Sequence, residues 1–117
     1  MKIAVICSRV RVEEKWIFEN LENRGIKYDR IDDRQSIFNL HDSTTWQAYP
    51  VVIERSLSYN NGLNITRLLN AWGIPTVNMA AVCQVCGDKL LTSAALEKAG
   101  VPQPRTWVAF SAESALE

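Results

Sequence analysis

The stretch Trp72-Gly73-Ile74-Pro75 joins an amphipathic, helix-like segment to a β-branched one, and the same kind of junction occurs twice more. The other two copies are Arg24-Gly25-Ile26-Lys27 and Ala99-Gly100-Val101-Pro102. Glycine supplies the left-handed conformation that ends a helix, and a proline shortly afterwards prevents the helix from continuing. Three helix-to-strand junctions of one kind indicate alternating helices and strands. We therefore predict an α/β fold, with a three-layer open parallel sheet of the Rossmann type.

Four apolar or β-branched runs fit the strands of this sheet. The first, residues 2–6, is almost continuously apolar, as expected of a strand that helices cover on both faces. The other three strands are predicted at residues 26–31, 51–54 and 76–78. At least four parallel strands follow from this pattern.

Amphipathic segments fit the helices between and after these strands. In the first, residues 13–24, the predicted inward stripe is Val12, Trp16, Ile17 and Leu21. The charged residues placed mainly outside that stripe are Glu13, Glu14, Glu19 and Arg24. The second helix has the stripe Ile65, Leu68, Leu69 and Trp72. A short helical segment at residues 80–86 ends at Gly87, and a third helix, residues 88–99, is predicted to turn inward Leu90, Leu91, Ala94 and Ala95.

Two segments fit the alternation less simply. Residues 35–49 are too apolar for a free loop, and we interpret them as a packed excursion with a short strand at residues 37–40. Residues 106–110 are predicted to form a new strand, followed by Ser111 as the N-cap of another helix. Because that helix would be unfinished at Glu117, we expect the chain to be truncated.

Composition excludes several classes of function. The chain of 117 residues has the length of one domain, and its 13 Lys and Arg balance its 13 Asp and Glu, which removes the positive charge that nucleic-acid binding normally needs. No apolar run approaches the roughly 18 residues of a membrane span, and the N-terminal run is too short for a signal peptide. Three cysteines in such a chain favour reduced thiols and a cytoplasmic protein.

Polar side chains follow each predicted strand, at the sheet edge where ligands of open α/β proteins collect. They are Ser8, Arg9, Arg11, Asp32, Asp33, Arg34, Arg55, Ser56, Ser58 and Asn78. Glycines are too few outside the helix ends to build a phosphate-binding loop. The groups suit a small anionic or zwitterionic ligand, with a merely solvated edge as the alternative. The candidate substrate-binding residues are Arg9, Arg55, Ser58 and Asn78.

The pair Cys83 and Cys86 forms a CxxC motif at the end of a helical segment rather than at its start. A redox motif should open a helix, and a zinc site would need further ligands, for which only Cys7 and His41 remain. We therefore expect no metal at the cysteines, which we interpret as small buried apolar side chains. No arrangement of nucleophile, base and acid is recognisable, and His41 is interpreted as a surface histidine.

One group of motifs resembles a known family. The motifs are residues 74–78 (IPTVN), Cys86-Gly87-Asp88-Lys89, Thr92, Leu96, Ala99-Gly100-Val101-Pro102 and Pro104-Arg105-Thr106. They resemble the entry into the nucleotide domain of ATP-grasp ligases. The whole chain is similar to the N-terminal part of the LysX and RimK branch of that superfamily. Residues 54–58 (ERSLS), with Gly62 and Leu63, are most similar to its lysine-biosynthesis members.

This resemblance implies a ligase that phosphorylates a carboxylate with Mg-ATP and then lets an amine attack the acyl phosphate. The carboxylate would be the C-terminal Glu of a small acidic LysW-like carrier protein, and the amine the α-amino group of aminoadipate or glutamate. Lys89 matches the family's early ATP-contacting lysine. Residues 1–86 would form the pre-ATP-grasp domain and residues 87–117 the first, incomplete part of the ATP-grasp domain. Catalytic and metal-binding residues of the family lie downstream, so none is expected here.

Two interpretations remain open at this stage. The first is the N-terminal part of an ATP-grasp ligase, inactive by itself, with ATP and Mg²⁺ used only by the complete enzyme and with a homo-oligomer compatible with the sequence. The second is a stand-alone α/β binding or interaction module that shares this ancestry and catalyses nothing.

Overall fold

Strands and helices alternate along the chain in the computed structural model, which describes residues 1–116. The strands are β1 (Lys2–Ile6), β2 (Lys27–Ile31), β3 (Val52–Glu54) and β4 (Thr76–Val77). The helices are α1 (Val12–Asn23), α2 (Thr44–Gln47), α3 (Tyr59–Ala71), α4 (Ala80–Gly87) and α5 (Lys89–Lys98). Single 3₁₀ turns occupy Asp33–Gln35 and Ser114–Leu116. The chain divides into two compact units, Met1–Cys83 and the residues from Gln84 onward.

All four strands of the first unit are parallel and lie in the order β2-β1-β3-β4. This confirms the predicted parallel sheet, and the predicted strand bounds differ from the observed ones by a single residue where they differ at all. β1 is central, and the chain leaves it toward β2 on one side and returns as β3 on the other. The sheet therefore has its topological switch point between β1 and β3.

The two faces of β1 pack against different helices. Ile3 and Val5 form a buried cluster with Leu21 of α1. Ala4 and Ile6 belong to a second cluster on the opposite face, with Ile65 and Leu69 of α3 among its members. Alternate side chains of a strand point to opposite faces, so helices cover both sides of the sheet. The predicted three-layer arrangement is confirmed.

The three glycine junctions have the predicted backbone. Gly25, Gly73 and Gly100 adopt φ angles of 66°, 76° and 67°, in the left-handed region that other residues rarely enter. Each glycine follows the end of a helix, and the first two lead the chain directly back into the sheet.

The predicted inward stripe of α1 is wrong at its N-terminal half. Glu14, predicted to lie outside the stripe, is completely buried, whereas Val12 and Trp16 are 56% and 60% exposed. Only Ile17 and Leu21 pack against the sheet as predicted. The reason is that Arg11 and Arg55 form ion pairs with Glu14, which offset the cost of burying its charge.

The excursion of residues 35–49 is packed, as predicted, but it contains no strand at residues 37–40. Its chain is held instead by aromatic contacts. The buried Trp46 stacks on Phe38 with ring centroids 4.9 Å apart, and Tyr49 lies 6.1 Å from Trp46. Ile37, one of the predicted strand residues, is 94% exposed.

In the second unit, the predicted inward face of α5 is wrong for the residues described. Leu90 and Leu91 are 49% and 38% exposed, and Ala94 and Ala95 are exposed too, because no apolar layer of this unit covers them. Residues 106–110 form no strand, since none of the residues described in this unit offers a strand to pair with. Ser111 does act as a cap: its Oγ accepts the Ser114 N–H at 3.1 Å, but a 3₁₀ turn follows instead of an α-helix.

None of the helices within residues 1–116 is long and apolar enough to cross a membrane.

Replacing Trp46 by alanine should lower the free energy of unfolding by about 3–5 kcal/mol, because it removes a large buried ring and leaves a cavity beside α3. Chemical denaturation measures the change. The matched control is Ile37→Ala in the same excursion, where the exposed side chain predicts a change within about 0.5 kcal/mol. Equal effects of the two substitutions would contradict a core role for Trp46.

Candidate functional site

The loops that follow β1 and β3 meet at the switch point of the sheet. The Arg55 N–H donates to the Ile6 carbonyl at 2.8 Å, which extends the ladder between the two strands. The Leu57 N–H donates to Oγ of Ser8 at 3.2 Å, and Ser8 is buried. These bonds hold the two loops side by side, at the edge where open α/β sheets place their ligands.

Glu14 lies between these loops and receives hydrogen bonds from two arginines. Its Oε2 accepts the backbone N–H of Arg11 at 3.0 Å and the Arg11 Nε–H at 2.9 Å. Its Oε1 accepts from Nη2 of Arg11 at 2.8 Å, and from Nε and Nη2 of Arg55 at 2.9 and 2.8 Å. Oε2 is therefore held by Arg11 alone, and Oε1 is shared between the start of α1 and the end of β3.

A buried carboxylate is stable only when its charge is neutralised and its lone pairs are satisfied. Here the hydrogen bonds from Arg11 act most strongly, and with Arg55 they lower the pKa of Glu14 to about 2 despite the opposing effect of burial. Glu14 is thus ionised at neutral pH. The side chains of Arg11 and Arg55 are 41% and 35% exposed, so each guanidinium also faces solvent.

A second polar group lies where β2 ends and α3 begins. Ser58 caps α3 by accepting the Asn61 N–H at 3.3 Å, and Asn61 Nδ2 lies 3.5 Å from Oδ2 of Asp33. Asp33 Oδ1 and Ser56 Oγ are buried without a hydrogen-bond partner among the residues described. Buried polar atoms are usually satisfied, so two unpaired ones at a strand-end edge indicate a place for a polar ligand or water.

Gly62 permits the close approach of α3 to the end of β3. A Cβ at this position would lie 2.7 Å from Oε2 of Glu54. The other oxygen, Oε1 of Glu54, accepts the N–H of Ser56 at 2.5 Å and so fixes the start of the β3 loop. A side chain at position 62 would have to displace this carboxylate.

The four residues predicted to bind substrate differ in the contacts that they make within the protein. Arg55 is anchored to Glu14, and Ser58 serves as a helix cap. Arg9 is exposed and forms no ion pair with any of residues 1–116. Asn78 is exposed, and its carbonyl accepts from Thr76 Oγ1 at 2.9 Å. The site that the structure builds is therefore centred on Arg55 rather than shared evenly along the edge.

Arg34 forms an ion pair with its near neighbour in sequence, Asp32. Its Nη2 lies 2.7 Å from Oδ2 of Asp32, and these hydrogen bonds lower the pKa of Asp32 to about 2. This local pairing distinguishes the end of β2 from the loops after β1 and β3, where Arg11 and Arg55 share one buried carboxylate.

Glu14 is the residue that sequence reasoning missed. Glu14, at the third position of the helix, accepts the backbone N–H of the N-cap residue Arg11, which is the glutamate half of a capping box. The opposite charges three residues apart were visible in the sequence and indicate a local ion pair. The contact with Arg55, 41 residues away, was not.

Lys89 occupies the first position of α5, after Asp88, whose side chain accepts the Leu91 N–H at 3.0 Å. Lys89 lines a cavity of about 390 Å³ within the second unit, together with Thr106 and Trp107. A lysine in the first turn of a helix is opposed by the helix dipole. Trp107 is 80% exposed, so the cavity presents an ammonium group and an aromatic ring to solvent.

Cys7, Cys83 and Cys86 do not form a cluster. Cys7 is buried at the end of β1, whereas Cys83 is half-buried and Cys86 is exposed, so the expectation of buried cysteines is wrong for Cys86. Within the described part of the chain, no three His, Cys, Asp or Glu side chains form a group that would hold a metal ion. His41 is exposed, as interpreted from the sequence.

An open parallel sheet with polar groups at its switch point and no glycine-rich loop defines a Rossmann-like fold without the dinucleotide loop. Residues 3–85 match the family model of the LysX preATP-grasp domain, and the chain belongs to that family. A RimK domain protein ATP-grasp from Sphaerobacter thermophilus has a similar fold, with a TM-score of 0.77 and 22% identity over 99% of this chain and 44% of that one.

Curated relatives match along all or nearly all of the chain. It is 37% identical to the glutamate–LysW ligase ArgX of Sulfurisphaera tokodaii and 32% identical to that of Sulfolobus acidocaldarius, each over 100% of this chain. It is 30% identical to the α-aminoadipate–LysW ligase LysX of S. acidocaldarius over 92% of this chain. The chain spans 40–41% of the length of these three relatives.

Replacing Glu14 by glutamine should lower the free energy of unfolding at pH 7 by about 2–3 kcal/mol, because charge-assisted bonds to two partly exposed arginines are weakened. A carboxyl whose pKa is lowered on folding stabilises the protein above its ordinary pKa and loses that contribution as the pH falls. The difference between wild type and Glu14→Gln should therefore shrink from about pH 5 to about pH 2.

Urea denaturation across this pH range measures the difference. Glu19→Gln, an exposed change in the same helix, is the control and should give little difference at any pH. A gap between wild type and Glu14→Gln that stays constant down to pH 2 would contradict an ionised Glu14 in the folded protein.

Proposed function

We propose that this chain is the N-terminal part of an ATP-dependent carboxylate–amine ligase. The complete enzyme would phosphorylate the C-terminal Glu of a small LysW-like carrier and join it to the α-amino group of an amino acid through an acyl phosphate. The observation that carries this proposal is the match of the entire chain to ligases named for LysW, combined with the family assignment of residues 3–85.

Glutamate is the amine substrate that the relatives favour, with α-aminoadipate as the alternative. Identity is 37% and 32% to the two glutamate ligases, against 27–30% to the α-aminoadipate ligases. Both amino acids are zwitterions with an additional side-chain carboxylate. A site for either one needs a cationic group for a carboxylate and an acceptor for the amine.

The strand-end edge supplies groups of both kinds. Glu14 holds Arg55 through Nε and Nη2 and leaves the guanidinium partly exposed, which suits binding of a carboxylate from the amino acid or the carrier. The unpaired Oδ1 of Asp33 suits an ammonium group. Ser58, Arg9 and Asn78 lie at the same carboxyl edge and are assigned supporting contacts in this proposal.

Lys89 is the ATP-contacting residue in this proposal. Its ammonium borders the cavity of the second unit and suits a phosphate, while the exposed Trp107 offers a ring beside it. One lysine neutralises little of a triphosphate, so the rest of the nucleotide site and the Mg²⁺ ligands are assigned to residues outside this chain. The domain boundary is placed between residues 86 and 87, near the end of the family match at residue 85.

The complete protein should convert ATP to ADP and phosphate only when the carrier and the amino acid are both present. The assay mixes it with a LysW-like carrier, Mg-ATP and either glutamate or α-aminoadipate, and measures the carrier by intact mass spectrometry. A carrier that gains one amino acid confirms ligation, and the carrier without its C-terminal Glu is the matched control. Failure with both amino acids would contradict the proposal.

Replacing Lys89 by alanine in the complete protein should raise the KM for ATP roughly 10-fold or more and leave the KM for the amino acid unchanged, because one charge-assisted contact with phosphate is lost. Steady-state kinetics separates the two constants. Lys98→Ala, at the other end of the same helix, is the control and should change neither. An unchanged KM for ATP in Lys89→Ala would show that this lysine does not contact the nucleotide.

A further inference from the structure

The charged groups at the carboxyl edge of the sheet differ between its two faces. On the side of α1, Arg11 and Arg55 both pair with Glu14, so two cations face one anion. On the side of α3, the edge carries Asp33 and Glu54, and neither forms an ion pair within residues 1–116. A ligand at the switch point therefore has cationic groups on one side and anionic groups on the other.

Three hydroxyl or carboxylate side chains follow the ends of three neighbouring strands on the α3 side. Ile6 of β1 is paired with Ile31 of β2 and with Glu54 of β3. The two isoleucines belong to or pack against the apolar cluster that includes α3, and Glu54 lies against Gly62 of that helix. Because side chains of a strand alternate between faces, the residues two positions further along return to the same side. They are Ser8, Asp33 and Ser56.

The observed contacts agree with this placement. Oδ2 of Asp33 lies 3.5 Å from Nδ2 of Asn61 in the first turn of α3, and Oγ of Ser8 accepts the Leu57 N–H at 3.2 Å. Ser8 and Asp33 are only 5% and 8% exposed. Oδ1 of Asp33 and Oγ of Ser56 are buried and have no hydrogen-bond partner among the described residues. The group therefore has acceptor atoms that nothing within residues 1–116 satisfies.

A buried carboxylate oxygen without a partner requires a hydrogen-bond donor that also carries positive charge. A primary ammonium group is compact and offers three N–H donors with one charge. The three side chains offer one carboxylate and two hydroxyl oxygens as acceptors. Glu54, whose Oε1 accepts the Ser56 N–H, adds a second negative charge beside them.

We propose that Ser8, Asp33 and Ser56 form the subsite for the ammonium group of an amino acid, whose carboxylate is directed toward Arg55 on the α1 side. This inference rests on the function proposed above and adds two serines and an orientation of the substrate to it. The amine is recognised on the anionic side of the switch point and a carboxylate on the cationic side.

The test measures binding of matched ligands to the complete protein by isothermal titration calorimetry, with Mg²⁺ and a non-hydrolysable ATP analogue present. Glutamate is paired with glutarate and α-aminoadipate with adipate, since each acid lacks only the amine. Wild type should bind one amino acid at least about 10-fold more tightly than its amine-free partner. Asp33→Asn should weaken that amino acid at least about 10-fold and leave the amine-free acid within about 3-fold.

Two further variants test the serine contact and the orientation. Ser56→Ala should weaken the amino acid about 3-fold or more without weakening its amine-free partner. Arg55→Lys should weaken both ligands by similar factors, because both keep their carboxylates. Asp42→Asn makes the same chemical change as Asp33→Asn at an exposed aspartate and is the control, which should change neither dissociation constant.

Urea denaturation of the ligand-free protein separates binding from folding. Since the relevant oxygens have no partner within residues 1–116, Asp33→Asn and Ser56→Ala should leave the denaturation midpoint unchanged or raise it. Midpoints lowered in both variants would assign the two residues to folding and overturn the subsite. Equal weakening of both ligands in Asp33→Asn would also overturn it, and would indicate an inorganic cation instead of the amine.

The ligation assay by mass spectrometry gives an independent result. Amino-acid binding that depends on Asp33 in a protein without ligation activity would support the subsite and contradict the proposed function. Ligation by a protein in which Asp33→Asn leaves the preference for the amine intact would overturn the subsite alone. Absence of binding of both amino acids would overturn it as well.

Discussion

The carboxylate of Glu14 is the constraint on which the switch point depends. A fully buried charge is expensive, and two arginines offset that cost with hydrogen bonds to both of its oxygens. Arg11 fixes the start of α1, and Arg55 fixes the loop after β3. This one group therefore ties the start of the first helix to the loop after β3 and holds the Arg55 guanidinium in place.

Local backbone chemistry made most of the fold predictable from the sequence. Glycine at the ends of three helices predicted positive φ angles there, and Gly25, Gly73 and Gly100 all have them. Hydrophobic periodicity failed where a charge was buried. It placed Glu14 outward and Trp16 inward, because periodicity cannot detect a partner such as Arg55 that is 41 residues away. The same limit applies to residues 37–40, among which Phe38 stacks on Trp46 instead of joining a strand.

The candidate site was predictable as a place more than as a set of side chains. Parallel strands bring their carboxyl ends to one edge, so Arg55 and Asp33 were expected there from topology alone. Which of the edge groups are already engaged depends on three-dimensional contacts. Ser58 is used by the helix that it caps, Arg34 is held by Asp32, and one buried oxygen of Asp33 has no hydrogen-bond partner within residues 1–116.

The order of the strands along the chain also determines when Glu14 acquires its second partner. During synthesis, β1, α1 and β2 leave the ribosome first, and Arg11 is already available to Glu14 at that stage. Arg55 emerges 41 residues after Glu14, together with the end of β3. Until then the carboxylate has only one guanidinium, and β1 has only one neighbouring strand. The ion pair between Glu14 and Arg55 can therefore form only after β3 has been synthesised and has paired with the free side of β1. Its formation marks the stage at which β1 has a neighbouring strand on both sides.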